Sequence, residues 1–312
     1  MRVIIGYDGS QCAEQAIIDL ERAGLLPDET EALVFAAWDS YVPPEFLNPD
    51  ASAPESSVVL LRDVQRLRTM ARESLALTRE RAERHAALMR MLYPGWAIQV
   101  EVRAVSPHWG LISMAEEWRA DLIVVGSNGR SALGRFFLGS VSQQVLHNAS
   151  CSVRIGRCSP SSAKRQGCVR LVLGFDGSKD SKEAITAIAA RHWPAETEAL
   201  VIGVVDGETY LNHLLLDQED AQPDSDPDTP HNLNDALYAA REELESAGLS
   251  ATCRLMIGDP KKILVEEAQR VEADCIIVGA LGHTRLERFL LGSVSASVAA
   301  RASCSVEVIR RR

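Results

Sequence analysis

An internal repeat constrains the fold of this 312-residue chain more than any other feature of its sequence. The segment VIIGYDGS at 3–10 returns as LVLGFDGS at 171–178, and GSNGRSALGRFFLGSVS at 126–142 returns as GALGHTRLERFLLGSVS at 279–295. The two 17-residue segments are identical at ten positions without a gap. Because the repeat unit is about 150 residues, the usual size of one globular domain, the sequence predicts two domains of one fold.

The predicted domains are residues 1–157 and 169–312, and the short, polar, Ser-rich stretch at 158–168 is predicted to be the linker between them. Two further stretches, at 39–57 and 206–231, are rich in proline or in acidic residues. Each follows the second predicted strand of its half, and we expect both to be surface loops.

Each domain alternates short apolar runs with longer amphipathic segments. The runs are rich in Val, Ile and Leu, as expected of parallel strands that are buried on both faces. The predicted strands are 2–7, 31–38, 97–104, 121–126, 152–156, 169–174, 198–205, 250–257, 274–279 and 304–309. The predicted helices are 11–23, 60–92, 179–191 and 232–247. This alternation indicates an α/β fold: two tandem doubly wound parallel sheets, each with helices on both faces.

The charge distribution argues against some classes of partner. The net charge of −10 comes mostly from 206–231, which contains eight acidic residues and no Lys or Arg. No basic face is evident elsewhere, so we expect no nucleic-acid partner. No apolar run approaches the ~18 residues of a membrane span, and the chain enters a strand directly after Met1. We therefore expect a cytoplasmic protein without a membrane partner.

The repeated motif Gly-x2-Gly-x9-Gly-Ser-x-Ser has the composition of a phosphate-binding loop. Gly126 and Gly129 permit a sharp turn and a close approach of backbone N–H groups to a ligand. Residues 139–142 then open a predicted helix, whose first N–H groups lack internal partners and favour an anion. Ser140 and Ser142 add two hydroxyl donors. The second half repeats the pattern at Gly279, Gly282, Gly292, Ser293 and Ser295.

An aspartate follows the first strand of each half, Asp8 in one and Asp176 in the other. Ligands of doubly wound sheets bind beyond the carboxyl ends of the strands, where the winding direction reverses. If the first and fourth strands are neighbours, Asp8 and Gly126 face one crevice. A purely structural interpretation stays open, because Asp-Gly is an ordinary turn dipeptide and Ser10 or Ser178 can cap the next helix.

Several well-known catalytic and cofactor motifs are absent from the sequence. It contains no G-x-x-x-x-G-K-[ST] phosphate loop, and no G-x-G-x-x-G follows a first strand. The seven histidines are scattered without zinc-type spacing, and no convincing Ser/His/Asp or Cys/His set is present. We therefore assign no catalytic residue and no metal-ligating residue. A divalent cation could still be held through the phosphates of a ligand.

These residues resemble the universal stress protein family over nearly the whole chain. The resemblance rests on GYDGS and GFDGS after each first strand, on both glycine-serine motifs, and on the LGSVS…ASCSV run that closes each half. The family usually closes with A-x-C-P-V, and here Ser152 and Ser305 stand in place of the proline.

The resemblance implies a fold and a ligand. Each half would be a five-stranded parallel sheet in the order 3-2-1-4-5. ATP or a related adenine nucleotide would bind in the crevice, often with a divalent cation such as Mg. Asp8 and Asp176 would lie near the adenosine, and the backbone at Ala37 and Val204 would pair with adenine. Pairing through the last strands would make the two halves an intrachain pseudo-dimer, and two chains would form a homodimer.

The predicted nucleotide-binding residues form one set in each half. They are Asp8, Ala37, Gly126, Ser127, Gly129, Arg130, Gly139, Ser140, Val141 and Ser142 in the first half, and Asp176, Val204, Gly279, Gly282, Gly292, Ser293, Val294 and Ser295 in the second. The first set has two further members, Ser127 and Arg130, because its phosphate loop is the more polar one. The second half has Leu281 and His283 where the first has Asn128 and Arg130. Since Arg can bind phosphate bidentately, we expect the first site to be the tighter one.

The leading functional prediction is a nucleotide-binding regulatory protein of the stress response that signals through oligomer or partner contacts. An alternative is a slow ATP hydrolase or nucleotidyl-transfer enzyme, in which Asp8 or Asp176 would act as the general base. A second alternative is an interaction module with vestigial nucleotide sites.

Overall fold

The computed structural model describes residues 1–39, 58–128, 138–157, 168–207, 230–282 and 291–311. The predicted surface loops at 39–57 and 206–231 and the predicted linker at 158–168 lie almost entirely outside these residues, and the domain boundaries at 157 and 169 therefore stay predictions.

The first half alternates strands and helices as its sequence predicts. Its elements are β1 (Arg2–Gly6), α1 (Gln11–Ile18), a 3₁₀ turn (Asp19–Arg22), β2 (Glu31–Ala37), α2 (Val58–Leu92), β3 (Ala97–Arg103), α3 (Pro107–Trp118), β4 (Leu122–Gly126), α4 (Ser140–Asn148) and β5 (Ser152–Gly156).

The second half repeats this order. Its elements are β6 (Arg170–Gly174), α5 (Lys179–Ala189), β7 (Glu198–Val205), α6 (Pro230–Ser246), β8 (Ser250–Ile257), α7 (Pro260–Arg270), β9 (Cys275–Gly279), α8 (Ser293–Arg301) and β10 (Ser305–Ile309).

The predicted strand order is confirmed in both halves, and the two sheets join at their edges. The order is β3-β2-β1-β4-β5 in the first half and β8-β7-β6-β9-β10 in the second. All pairs within a half are parallel. β5 pairs antiparallel with β10, so the two predicted sheets form one continuous ten-stranded sheet.

The predicted strands match the observed ones to within one residue at each end, but the first helix is shorter than its predicted range of 11–23. The α-helix ends at Ile18 and continues to Arg22 as a tighter 3₁₀ turn. The sequence pattern indicates one amphipathic helix here and does not predict the tighter turn. The turn contains Asp19, whose buried carboxylate accepts a hydrogen bond from Arg154 of β5.

The two faces of the sheet are packed differently at the junction of the halves. Helices α3, α4, α7 and α8 cover one face, where the apolar core is continuous and includes Val153 of β5 and Val306 and Val308 of β10. On the other face the core is divided in two, under α1 and α2 in the first half and under α5 and α6 in the second. The strip between these two cores contains charged side chains.

Four charged residues, which we call the seam cluster, fill this strip: Asp19, Arg154, Arg191 and Glu307. Arg154 and Glu307 are opposite each other in the β5–β10 register, and both are completely buried. Arg154 Nη1 donates to Glu307 Oε2 at 3.0 Å and Arg154 Nε donates to Asp19 Oδ2 at 2.7 Å, while Arg191 binds both carboxylate oxygens of Glu307. Two positive and two negative charges therefore balance across the junction.

Ser152 and Ser305, the residues that replace the family's proline, also join the halves. The Arg157 N–H donates to Ser305 Oγ at 2.8 Å, and that hydroxyl donates to the Arg157 carbonyl at 3.0 Å. In the equivalent contact, the Arg310 N–H donates to Ser152 Oγ at 3.1 Å. A proline has no hydroxyl, so the departure from the family pattern has a structural role in this chain.

We expect Ser305→Ala to lower the free energy of unfolding by about 1–3 kcal/mol, because it leaves the buried Arg157 N–H and carbonyl without the Ser305 hydroxyl. Urea unfolding followed by circular dichroism measures this change. Ser303→Ala is the matched control, since Ser303 is exposed two residues away. Equal midpoints for the two variants would contradict a structural role for the Ser305 hydroxyl.

Candidate functional site

The first half contains a cavity of about 380 Å³ at the carboxyl ends of β1 and β4. It lies between the start of α1, the start of α4 and the end of β2. Seven of the predicted site residues line it: Asp8, Ala37, Gly126, Gly139, Ser140, Val141 and Ser142. The structure therefore brings together side chains from three separate parts of the first half.

The second half has an equivalent cavity of about 360 Å³ at the carboxyl ends of β6 and β9. All eight of its predicted site residues line it: Asp176, Val204, Gly279, Gly282, Gly292, Ser293, Val294 and Ser295. In this half the two motifs come into direct proximity, because a Cβ added to Gly282 would lie 2.9 Å from Asp176 Oδ2.

Three predicted residues of the first half are not placed in its cavity. Gly129 and Arg130 lie outside the described residues, as does His283 of the second half. Ser127 is buried, and its carbonyl accepts the Gly139 N–H at 2.8 Å. The Ala280 carbonyl accepts the Gly292 N–H at 2.8 Å in the same way. Each hydrogen bond closes the base of the glycine-serine loop and uses the N–H of the last glycine.

The remaining N–H groups at the start of α4 and α8 have no side-chain cap. Gly139 and Gly292 occupy the N-cap positions, and a glycine offers no side-chain acceptor. By contrast, Ser10 caps α1 and Ser178 caps α5 through their hydroxyl oxygens. The first N–H groups of an uncapped helix carry a partial positive charge and bind anions. Each cavity thus has one helix end that can accept a phosphate.

Ser142 differs from its predicted role as a ligand donor. It is buried, and its hydroxyl donates to the Gly126 carbonyl at 2.7 Å; Ser295 donates to the Gly279 carbonyl at the same distance. The hydroxyl proton is therefore used to hold the start of the helix against the end of the strand. Ser140 and Ser293 are exposed at the first helical position, and their role as ligand donors stays a prediction.

Asp8 and Asp176 organise the turn that follows the first strand of each half. Asp8 Oδ1 accepts the Ser10 N–H at 2.9 Å, and Asp176 Oδ1 accepts the Ser178 N–H at 3.0 Å. Gly9 and Gly177 between them adopt φ values of +76° and +79°, which disfavour residues with a side chain. These hydrogen bonds support the structural interpretation of the aspartate. Each aspartate also lines its cavity, and its role in binding a ligand stays a prediction.

The first glycine of each motif is required by packing as well as by any ligand. A Cβ at Gly126 would lie 2.7 Å from the carbonyl carbon of Cys12, and a Cβ at Gly279 would lie 2.7 Å from that of Asp180. Cys12 and Asp180 are in the first turns of α1 and α5. A bulky substitution at these glycines would displace a helix, so ligand-binding tests are better made elsewhere.

Sequence reasoning missed the apolar wall of each cavity. Phe35 and Leu111 line the first, and Ile202 and Leu264 are their equivalents in the second. The position of Phe35 in this wall could have been predicted, because Phe35 precedes Ala37 by two residues and so lies on the same face of β2. An apolar wall facing an uncapped helix end suits a ligand with one flat apolar part and one anionic part.

Two kinds of feature are absent from the described part of the chain. None of its helices is both long and apolar enough to cross a membrane. The same part contains no group of three or more His, Cys, Asp or Glu side chains placed to hold a metal ion.

The family model for the universal stress protein family matches residues 1–157 and 169–310. A universal stress protein of Mycolicibacterium smegmatis is 31% identical to this chain over 223 residues, which is 70% of each chain.

Solved structures agree with the fold. A universal stress protein from Archaeoglobus fulgidus is 19% identical, with a TM-score of 0.60, and the match covers 100% of this chain and 98% of that one. A functionally unknown protein from Pseudomonas aeruginosa is 14% identical, with a TM-score of 0.56, and the match covers 99% and 92%.

Proposed function

Because this chain belongs to the universal stress protein family, we propose that it binds ATP or a related adenine nucleotide and acts as a regulatory protein of the stress response. The nucleotide occupies the cavity of one or both halves. The observation that carries the proposal is the uncapped start of α4 and of α8, each facing an apolar wall across a cavity at the switch point of the sheet.

In this proposal the phosphates accept hydrogen bonds from the free N–H groups at the start of α4 and from the Ser140 hydroxyl. The adenine lies against Phe35 and Leu111, with its edge at the main chain of Ala37. The ribose lies near Asp8. Gly129 and Arg130 complete the phosphate contacts, as the family resemblance implies.

A divalent cation such as Mg²⁺ fits this arrangement only as a companion of the phosphates. Among the described residues, Asp8 is the one carboxylate that lines the first cavity, and a single carboxylate with phosphate oxygens and water is an ordinary Mg²⁺ environment. The cation would neutralise phosphate charge, while the chain itself supplies the helix end and the apolar wall.

Signalling is proposed to pass through contacts between halves and between chains. The antiparallel β5–β10 pairing supports the proposed intrachain pseudo-dimer of the two halves, and homodimerisation would use a different surface. Arg310 Nη2 donates to the Leu146 carbonyl near the end of α4, and Arg157 Nη2 donates to the Ala299 carbonyl near the end of α8, both at 2.8 Å. An arginine of each half therefore contacts a helix of the other half near its end, and the start of that helix faces the cavity of its own half.

A cytoplasmic location is also part of the proposal.

ATP is expected to raise the melting temperature of the full chain by roughly 5–10 °C at 100 times its Kd, because it binds only the folded state. Differential scanning fluorimetry with ATP, ADP and AMP measures this shift. Adenosine, which lacks phosphate, and tripolyphosphate, which lacks the base, serve as controls and should give smaller shifts. An unchanged melting temperature at millimolar ATP would contradict nucleotide binding.

The enzymatic alternative leads to a different outcome. A hydrolase or nucleotidyl-transfer enzyme would release phosphate or pyrophosphate steadily, and Asp8→Asn or Asp176→Asn would abolish that release. We expect turnover to be slow or absent, because one oxygen of each aspartate is already bound to a backbone N–H of the turn.

A further inference from the structure

The two cavities differ in one charged position beside the glycine motif. Asp180, in the first turn of α5, accepts a hydrogen bond from the Leu281 N–H through Oδ2 at 3.0 Å. Leu281 lies two residues after Gly279 and lines the second cavity. The repeat places Cys12 at the equivalent position of α1 in the first half, so that half has no carboxylate there.

The Asp180 contact resembles the one that a phosphate would make. A carboxylate and a phosphate are both anionic acceptors of backbone N–H groups, and they compete for the same donors at a glycine-rich loop. Asp180 thus uses the N–H of Leu281, a residue that lines the second cavity, and places a negative charge beside that donor. A phosphate at this loop would lose the donor and be repelled by the carboxylate.

The surrounding arginines increase the difference between the halves. Arg310 and Arg157 are equivalent residues of the repeat, and each is buried beside the position in question. Burial lowers the pKa of both guanidinium groups. The thiol of Cys151 and then the charge of Asp180 oppose that effect at Arg310, and the thiols of Cys304 and Cys12 oppose it at Arg157. Within the described residues, Arg157 Nε and Nη1 have no hydrogen-bond partner, and neither has Arg310 Nε. The charge of Asp180 therefore acts on Arg310, whereas the uncharged side chain of Cys12 stands at the equivalent position beside Arg157.

We propose that Asp180 closes the second cavity to phosphate, so that the nucleotide binds selectively in the first half. The second cavity, whose apolar wall is intact, accepts at most the uncharged nucleoside portion of such a ligand. This inference rests on the proposed nucleotide-binding function, and it assigns the difference between the halves to the residue pair Cys12 and Asp180.

Isothermal titration of the full chain with ATP and Mg²⁺ tests the proposal through a reciprocal exchange. The unmodified chain should bind one ATP. Asp180→Cys should bind two, the second site gaining at least tenfold in affinity, and Cys12→Asp should weaken the first site at least tenfold. Glu183→Gln, on the exposed face of the same helix, is the matched control and should leave one site. Unchanged melting temperatures would show that the variants are folded.

Four other results of the titration would overturn the role of Asp180. Two equal sites in the unmodified chain would overturn the role of Asp180 while supporting nucleotide binding. One site in Asp180→Cys would overturn it as well. A second site that needs Mg²⁺ and is lost in Asp180→Cys would make Asp180 a cation ligand and so overturn the proposal. No ATP binding in any of the proteins would overturn the proposed function itself, and this inference with it.

Discussion

Arg154→Glu is expected to lower the free energy of unfolding by at least about 3–5 kcal/mol, the usual cost of leaving a buried charge without its partner. The substitution would place three carboxylates and the single cation Arg191 in a strip whose side chains are almost completely buried. Burial already raises the pKa of Asp19 in spite of Arg154, whereas Arg191 and Arg154 hold the pKa of Glu307 below its usual range against the effect of burial. Without Arg154 both carboxyl groups lose their shared cation.

Urea unfolding of the full chain measures this loss, and Arg84→Glu is the matched control. Arg84 is about two-thirds exposed and pairs with Glu80 on the surface of α2, so its reversal should cost less than ~1 kcal/mol. The simple exchange Arg154→Glu with Glu307→Arg should not restore stability. It would set a carboxylate against Asp19 and a guanidinium against Arg191. Full recovery in that double variant, or a midpoint for Arg154→Glu equal to that of Arg84→Glu, would contradict the role of the seam cluster.

The seam cluster also bears on how copies of the chain assemble. Arg154 and Glu307 are equivalent residues of the repeat and are paired at the centre of the β5–β10 register, with Ile155 opposite Val306 and Val153 opposite Val308. Pairing β5 with a second β5 would therefore put two arginines opposite each other, and pairing β10 with β10 would oppose two glutamates. Like charges directly opposite are destabilising, so the first half is expected to pair with the second rather than with itself.

Ser140→Glu is expected to weaken ATP binding by about 100-fold without harming the fold. Ser140 is exposed at the first position of α4, where an acidic side chain is favourable to the helix dipole. The same charge would face the nucleotide phosphates, and two like charges ~5 Å apart at an effective dielectric constant of about 20 repel by ~3 kcal/mol. Isothermal titration measures the change in Kd.

Ser293→Glu, at the equivalent position of α8, is the matched control for this prediction. If Asp180 already excludes phosphate from the second cavity, this variant should bind ATP as the unmodified chain does. An unchanged Kd for Ser140→Glu would show that the phosphates lie elsewhere. A larger effect of Ser293→Glu would place the nucleotide in the second half.

Much of the fold was predictable because local pattern and repetition agree. The apolar runs predict the strands to within one residue, and the order 3-2-1-4-5, implied by the family resemblance, is observed in each half. The seam cluster was harder to predict, since its contacts join residues more than a hundred positions apart. Its signal is visible only after the repeat is aligned: CSVRIG and CSVEVI carry opposite charges at the same position of a buried strand.

The candidate site was predictable in composition but less so in geometry. Asp8, Ala37, Gly126 and Ser140 do line one cavity, as strand order and motif spacing together imply. The direction of the Ser142 hydroxyl was not predictable, because a serine at the start of a helix can bond to the strand or face the ligand equally well. Asp180 was overlooked for a related reason, since an acidic residue in the first turn of a helix is ordinary and gains its meaning only from the Leu281 N–H beside it.

A crystal structure of the full chain grown with ATP and Mg²⁺ would show directly which half holds the nucleotide. We expect one ATP per chain in the first half, with its phosphates at the N–H groups of Ser140 and Val141 and its adenine between Phe35, Leu111 and the main chain of Ala37. Phosphates bound at the start of α8 instead, or both cavities empty at saturating ATP, would contradict this expectation.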